Sequence, residues 1–243
     1  YTMVNVPYGS MLGVMTDDDN DRNQFSSFRM CGAYAMGFIT LLSFPYLQKM
    51  IGGSDQNQYA VLGAGFGALA AAMTLACGLM TKERLKPQRA EKFSFKQFAD
   101  LFKNIPWVYI TLMGVCTNFF NGFRYAVAAY LIDYCLGGDI TIGSLIINYT
   151  VLMAFGEVTC MIFGGVSPKF TEWVGSKRMA FVWSSVICMV LSIAFFFIPQ
   201  DPAYIWVIVV MVVLTSVGVG LYSPLVWSMY ADVADYATEK NGD

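Results

Sequence analysis

PAYIWVIVVMVVLTSVGVGLYSPLVWSMYA, residues 202–231, carries no charged side chain over its whole length. As a helix rising 1.5 Å per residue it would extend about 45 Å, past the roughly 30 Å hydrocarbon core of a bilayer. Five further uncharged stretches, 30–48, 59–81, 104–123, 140–156 and 179–200, repeat the pattern. A soluble domain of this size has too little interior to hide six such segments, so lipid is the expected solvent. Composition agrees: 56% of the 243 residues are hydrophobic and 13% charged, where soluble domains average about half and about a quarter. Barrel strands would be about ten residues long and would alternate apolar with polar, which these stretches do not. The expected fold class is an all-α membrane protein.

Residues 1–16 are also apolar, but they lack a start methionine and a basic flank and contain Asn5 and Pro7. They are read as the second half of a membrane-spanning helix that begins outside the sequence, which makes the chain a fragment. Basic residues crowd two connections: Lys82, Arg84, Lys86, Arg89, Lys92, Lys96 and Lys103 in one, Lys169, Lys177 and Arg178 in the other. The positive-inside rule places both in the cytoplasm, and alternation then puts residues 17–24 and the C-terminus on the same side.

The connection at 82–105 spaces Phe95, Phe98 and Phe102 three and four apart, which predicts an amphipathic interfacial helix. A long basic linker also suits a six-plus-six transporter, dividing the chain at 1–81, 82–105 and 106–243. Gly9 with Gly13, and Gly63 with Gly67, have the GxxxG spacing that lets helices pack closely in lipid. Asn148-Tyr149-Thr150 matches a glycosylation sequon, but it falls within the 140–156 span and is set aside.

The charge balance, 15 basic against 17 acidic, has no basic excess for nucleic acid. Histidine is absent and the six cysteines lack metal-ligand spacing, so an enzyme, a metal centre and an organic cofactor are not expected. The polar groups that are costly in lipid carry the functional signal: Asn5, Arg29, Asn118, Asn121, Arg124, Asn148 and Glu157. Arg29 lies roughly 10 Å along its helix past Arg22, at a depth similar to Asn5. A guanidinium and an amide there would suit vicinal sugar hydroxyls; snorkelling or pairing in a gate are the alternatives. Arg124 is matched in depth to Asn148, where an interhelical hydrogen bond is expected. Glu157 would pair with a basic residue or carry a proton. Tyr8, Asn118, Asn121 and Arg124 complete the substrate-site candidates.

Pro7-Tyr8-Gly9-Ser10-Met11 followed by Asp17–Asp21, and Pro224-Leu225-Val226-Trp227-Ser228-Met229 followed by Asp232 and Asp235, form a weak internal repeat. Its acidic clusters lie level with Lys177 and Arg178. Asp17, Arg22, Asp232, Asp235, Lys177 and Arg178 are therefore expected to form a cytoplasmic gate, with a merely solvated acidic end as the alternative.

Asn5-Val6-Pro7-Tyr8-Gly9-Ser10, the run to Asp21-Arg22, Arg29, and Ala231-Asp232-Val233-Ala234-Asp235-Tyr236 with Lys240 and Gly242 together resemble the glycoside-pentoside-hexuronide cation symporters. These are the melibiose-carrier branch of the major facilitator superfamily. The resemblance implies helices four, from its second half, through ten of a twelve-helix fold. It further implies alternating access, with a sugar or glycoside symported with Na⁺ or H⁺ by a monomer in a bacterial inner membrane. Arg29 matches the family's sugar-binding arginine, Asn5 stands where the melibiose carrier has an aspartate, and Thr2 matches a threonine near its cation site. Thr2 and Asn5 are thus the cation-site candidates, while Thr238 departs from the glutamate common in the family. A sodium-coupled lysolipid transporter of the same fold and a non-transporting sensor or scaffold are the rival functions.

Overall fold

The computed structural model describes residues 2–16, 18–81, 102–142, 145–199 and 201–241. Among these are seven α-helices: α1 (Thr2–Met15), α2 (Asp19–Ile51), α3 (Asp55–Met80), α4 (Ile105–Tyr130), α5 (Tyr149–Val174), α6 (Lys177–Phe196) and α7 (Ile205–Asn241). Asp17 and residues 82–101, with Phe95, Phe98 and most of the basic linker, lie outside the described residues.

Among the described residues, five helical segments are long and apolar enough to cross a membrane: α2, α3, α5, α6 and Pro202–Tyr236, which includes most of α7. The protein is an integral membrane protein. α4 also has spanning length at 26 residues, and Arg124 is its only charged side chain, with Asn118 and Asn121 among its polar ones.

The acidic run before α2 has a local cause. Asp18 is the N-cap, and its carboxylate accepts from the backbone N–H groups of Asn20 at 2.7 Å and Asp21 at 3.1 Å. Asp19 and Asp21 then sit in the first turn, where the helix dipole favours negative charge. At the far end of α5, Gly175 takes φ +79° and donates its N–H to Thr171 O at 2.9 Å, which closes the helix and turns the chain into α6.

Residues 140–156 depart from the expected continuous span. Ile140–Ile142 pairs antiparallel with Leu145–Ile147, in the register Ile140 to Ile147 and Thr141 to Ile146. β-branched residues dominate both short strands, and this composition favours pleat over helix. Ile147 is fully buried while its neighbour Ile146 is half exposed, the period-two pattern of a one-sided hairpin. The hairpin caps a cluster of Leu131, Ile132, Leu136, Leu152, Ile205 and Ile208. α5 therefore starts at Tyr149 and runs on to Val174. Asn148 is its N-cap, accepting from Val151 N at 3.0 Å, so the sequon lies at the very start of a spanning helix and not midway along one.

The core is formed by α5, packed between α2 and α7, with α6 on the outer side of α7. Several hydroxyls inside it are satisfied by backbone carbonyls, as an apolar solvent favours. Ser216 and Ser223 donate to the carbonyls of Val212 and Val219, both at 2.7 Å, while Ser167 reaches across to Leu221 O at 2.8 Å. The α5–α7 approach is close at Gly220, where an added Cβ would lie 2.9 Å from Cys160 O and 3.0 Å from Phe163 Cβ. Gly220→Val should force the helices apart and cost about 1–3 kcal/mol. Thermal denaturation followed by size exclusion in detergent would read this as a lowered transition, whereas Gly122→Val, which meets open space, should leave the transition unmoved. Gly63 and Gly67 also face open space; α3 packs chiefly against α2, and the GxxxG spacing there makes no close helix contact among the described residues.

Candidate functional site

Arg29 projects from α2 into the angle between α1 and α7. Its Nη2 donates to Asn5 Oδ1 at 2.9 Å. The guanidinium carbon lies 3.9 Å from the centre of the Trp227 ring and 4.8 Å from that of Tyr8. Both distances allow cation–π attraction, and two aromatic faces hold the planar group in one orientation. Gly9 borders the same group: an added Cβ would sit in ordinary contact, 3.5 Å from Trp227 Cζ3 and 3.8 Å from Arg29 Nη1. Three of the expected site residues, Asn5, Tyr8 and Arg29, are thus brought together. The Thr2 side chain is outside the described set.

Trp227 was absent from the expected set although the repeat contained it. The signal lay in that repeat: Tyr8 follows Pro7 and Trp227 follows Pro224, so each proline-bearing helix delivers an aromatic to Arg29.

The other three candidates sit elsewhere. Asn118 donates back to Gly114 O at 2.7 Å within its own helix. Asn121 donates to the Tyr222 hydroxyl of α7 at 3.3 Å. Arg124 does not meet Asn148, which is occupied as an N-cap. It lies against Gly156, whose added Cβ would be 3.3 Å from Nη2, and near Glu157.

At the end of the bundle where α2 and α6 begin, charges assemble from segments far apart in sequence. Arg22, only 3% exposed, is ion-paired through Nη1 with Asp235, approaches Asp232 at 3.8 Å, and donates through Nε to Thr16 O at 3.0 Å. Lys177 contacts both Asp232 oxygens, at 2.8 and 3.1 Å, and Asp19 at 3.6 Å. Arg22, Lys177, Asp232 and Asp235 are therefore joined, and Asp19 is an additional member. Arg178 lines the adjoining cavity of about 900 Å³ with Asn23, Tyr109 and Glu172, but takes part in none of the described ion pairs.

Long apolar helices, an arginine held between aromatic rings inside them, and an ionic cluster at one end describe a polytopic membrane protein with polar groups placed within its helices. The family described as MFS/sugar transport protein matches residues 1–243, and the chain belongs to it. It is 26% identical over 245 residues to the inner membrane symporter YicJ of Escherichia coli (strain K12), covering 100% of this chain and 51% of the relative. It is 26% identical over 248 residues to symporter YjmB of Bacillus subtilis (strain 168), with the same coverage. To the isoprimeverose transporter of Lactiplantibacillus pentosus it is 23% identical over 247 residues, 100% of this chain and 50% of that protein. The chain spans about half the length of these curated relatives.

Proposed function

We propose that the protein is a symporter of a bacterial inner membrane that carries a sugar or glycoside by alternating access, driven by Na⁺ or H⁺. The Arg29 cluster, a guanidinium and an amide flanked by two aromatic rings, carries this reading. Ligand pockets combine apolar and aromatic walls with a few placed polar groups, and here Trp227 and Tyr8 supply rings while Arg29 and Asn5 supply donors and an acceptor. A pyranoside has the complementary surface, with C–H faces that pack on aromatic rings and an edge of hydroxyls. The family match and the sugar- and symporter-named relatives support the same class. In this reading the segments before and after the 82–105 linker belong to two rocking halves, and the Arg22–Asp235 and Lys177–Asp232 pairs gate the cytoplasmic side. Thr2 and Asn5 border the cation.

The test is uptake of a glycoside panel into liposomes holding the whole protein, under an imposed cation gradient. Saturable, gradient-dependent accumulation of a glycoside is expected. Uptake of a lysolipid and no sugar, or of neither, would contradict the proposal.

A further inference from the structure

The cavity of about 900 Å³ beside the ionic cluster is set into the end of the bundle where α2 and α6 begin. Small-molecule sites have volumes of roughly 300–1,000 Å³. Asn23 of α2 lines the cavity; it is 3% exposed, and its Oδ1 is buried with no hydrogen-bond partner. An acceptor removed from water without a donor is costly. The position calls for a ligand that brings a hydroxyl or an N–H.

The charges around the cavity narrow the class of that ligand. Asp19, Glu172 and Asp232 line it against Lys177 and Arg178, a surplus of carboxylate that disfavours an anion. Asp19 and Asp232 are already engaged by Lys177, and Asp232 by Arg22 as well, so they are not open to a cation. Glu172 and Arg178 take part in none of the described ion pairs. One accepts hydrogen bonds and the other donates them, and their opposite charges suit a neutral ligand with hydroxyls of both uses. Tyr109, 68% exposed, adds an aromatic ring to the lining. Hydroxyls on an edge and C–H groups on a face describe a pyranoside.

We propose that this cavity is a second glycoside site, at the end of the bundle that the transport reading places in the cytoplasm. Sugar hydroxyls donate to Asn23 Oδ1 and to the Glu172 carboxylate, Arg178 donates to the sugar, and Tyr109 packs on the pyranose face. The site is distinct from the Arg29 cluster: Asn23 precedes Arg29 by six residues on α2, about 9 Å nearer the charged end. Asn23 comes from α2, while Tyr109, Glu172 and Arg178 come from α4, α5 and α6. An occupied cavity therefore ties helices from opposite sides of the 82–105 connection. The substrate released at this end is the sugar that reaches the cavity first. The inference rests on the transport reading above and adds a weaker site on the releasing side.

Equilibrium dialysis of the whole protein in detergent against radiolabelled methyl glucoside, methyl galactoside and methyl xyloside tests it. For a sugar that binds, the unmodified protein should take up two molecules per chain, in a tight and a weak phase. Arg29→Ala should lose the tight phase and keep the weak one. Tyr109→Ala combined with Glu172→Gln should do the reverse, weakening the second phase by about tenfold or more, as expected for a lost charge-assisted hydrogen bond and a lost ring contact. Both side chains are exposed, so the fold should tolerate the pair. A single sugar per chain, lost in Arg29→Ala, would overturn the inference and leave the transport reading standing. A weak phase that the Tyr109 and Glu172 substitutions do not move would also overturn it. So would binding of none of the three sugars, and the uptake panel then decides the transport reading separately.

Discussion

Arg29→Lys should weaken glycoside binding nearly as much as Arg29→Ala, by roughly ten- to a hundredfold. That range corresponds to the loss of charge-assisted hydrogen bonds worth about 1.5–3 kcal/mol. The near-equivalence follows from geometry. The guanidinium is flanked by Trp227 at 3.9 Å and Tyr8 at 4.8 Å and anchored to Asn5 at 2.9 Å, so its plane is held in one orientation. An ammonium keeps the charge but has neither the plane that stacks nor the fork that meets two hydroxyls at once. An arginine that only snorkels would tolerate lysine. Equilibrium binding to purified variants shown to be folded distinguishes the two, and near-normal affinity in Arg29→Ala would remove Arg29 from the site. Asn5→Ala should have a smaller effect in the same assay, because it frees the guanidinium to rotate without deleting its donors.

Asp232→Ala should loosen the charged end of the bundle by about 1–2 kcal/mol, roughly five- to thirtyfold in population, because it removes the nearest carboxylate of Lys177 and one of the two that Arg22 faces, leaving Asp19 and Asp235 to hold them. Arg22 is 3% exposed and Lys177 16%, while Asp232 touches both. These residues come from opposite sides of the 82–105 connection, so the pairs tie α2 to α6 and α7. A change of state that separates those helices must break them. Asn23, one residue beyond Arg22, is also buried, which supplies a reporter. The thiol introduced by Asn23→Cys should react slowly with a water-soluble reagent, and much faster once Asp232→Ala is added. Replacing the alanine by the conservative Asp232→Glu, which keeps a carboxylate between Arg22 and Lys177, should slow the reaction again. Equal rates in all three proteins would make the cluster a solvated acidic end.

The helical membrane class was legible because uncharged runs of spanning length have one physical meaning. Arg29 and Asn5 were legible for a related reason: polar groups within such runs are few, and each demands a partner. What the sequence concealed depended on tertiary neighbours. The hairpin at 140–147 was read as helix because a short apolar run looks alike in both forms; the alternation between buried Ile147 and exposed Ile146 exists only against the α7 core. Arg124 was matched to Asn148 by depth alone. Depth does not give the rotation of a helix, and α4 turns Arg124 toward Gly156 and Glu157 while Asn148 is consumed as a cap. Trp227 was hidden for the opposite reason: an aromatic in an apolar helix is ordinary until the fold places it over a guanidinium.

Protection of the Arg29 cleft by substrate tests the central claim most directly. Tyr8 is 41% exposed beside that guanidinium, so a thiol introduced by Tyr8→Cys is open to a small alkylating reagent, and peptide mass spectrometry separates its adduct from those at the native cysteines. The account predicts that a transported glycoside slows alkylation at position 8 in a saturable manner, with half-protection at the Kd measured by binding and no effect at Cys135, which is exposed beyond α4. An alkylation rate at position 8 that stays constant up to saturating glycoside would contradict it.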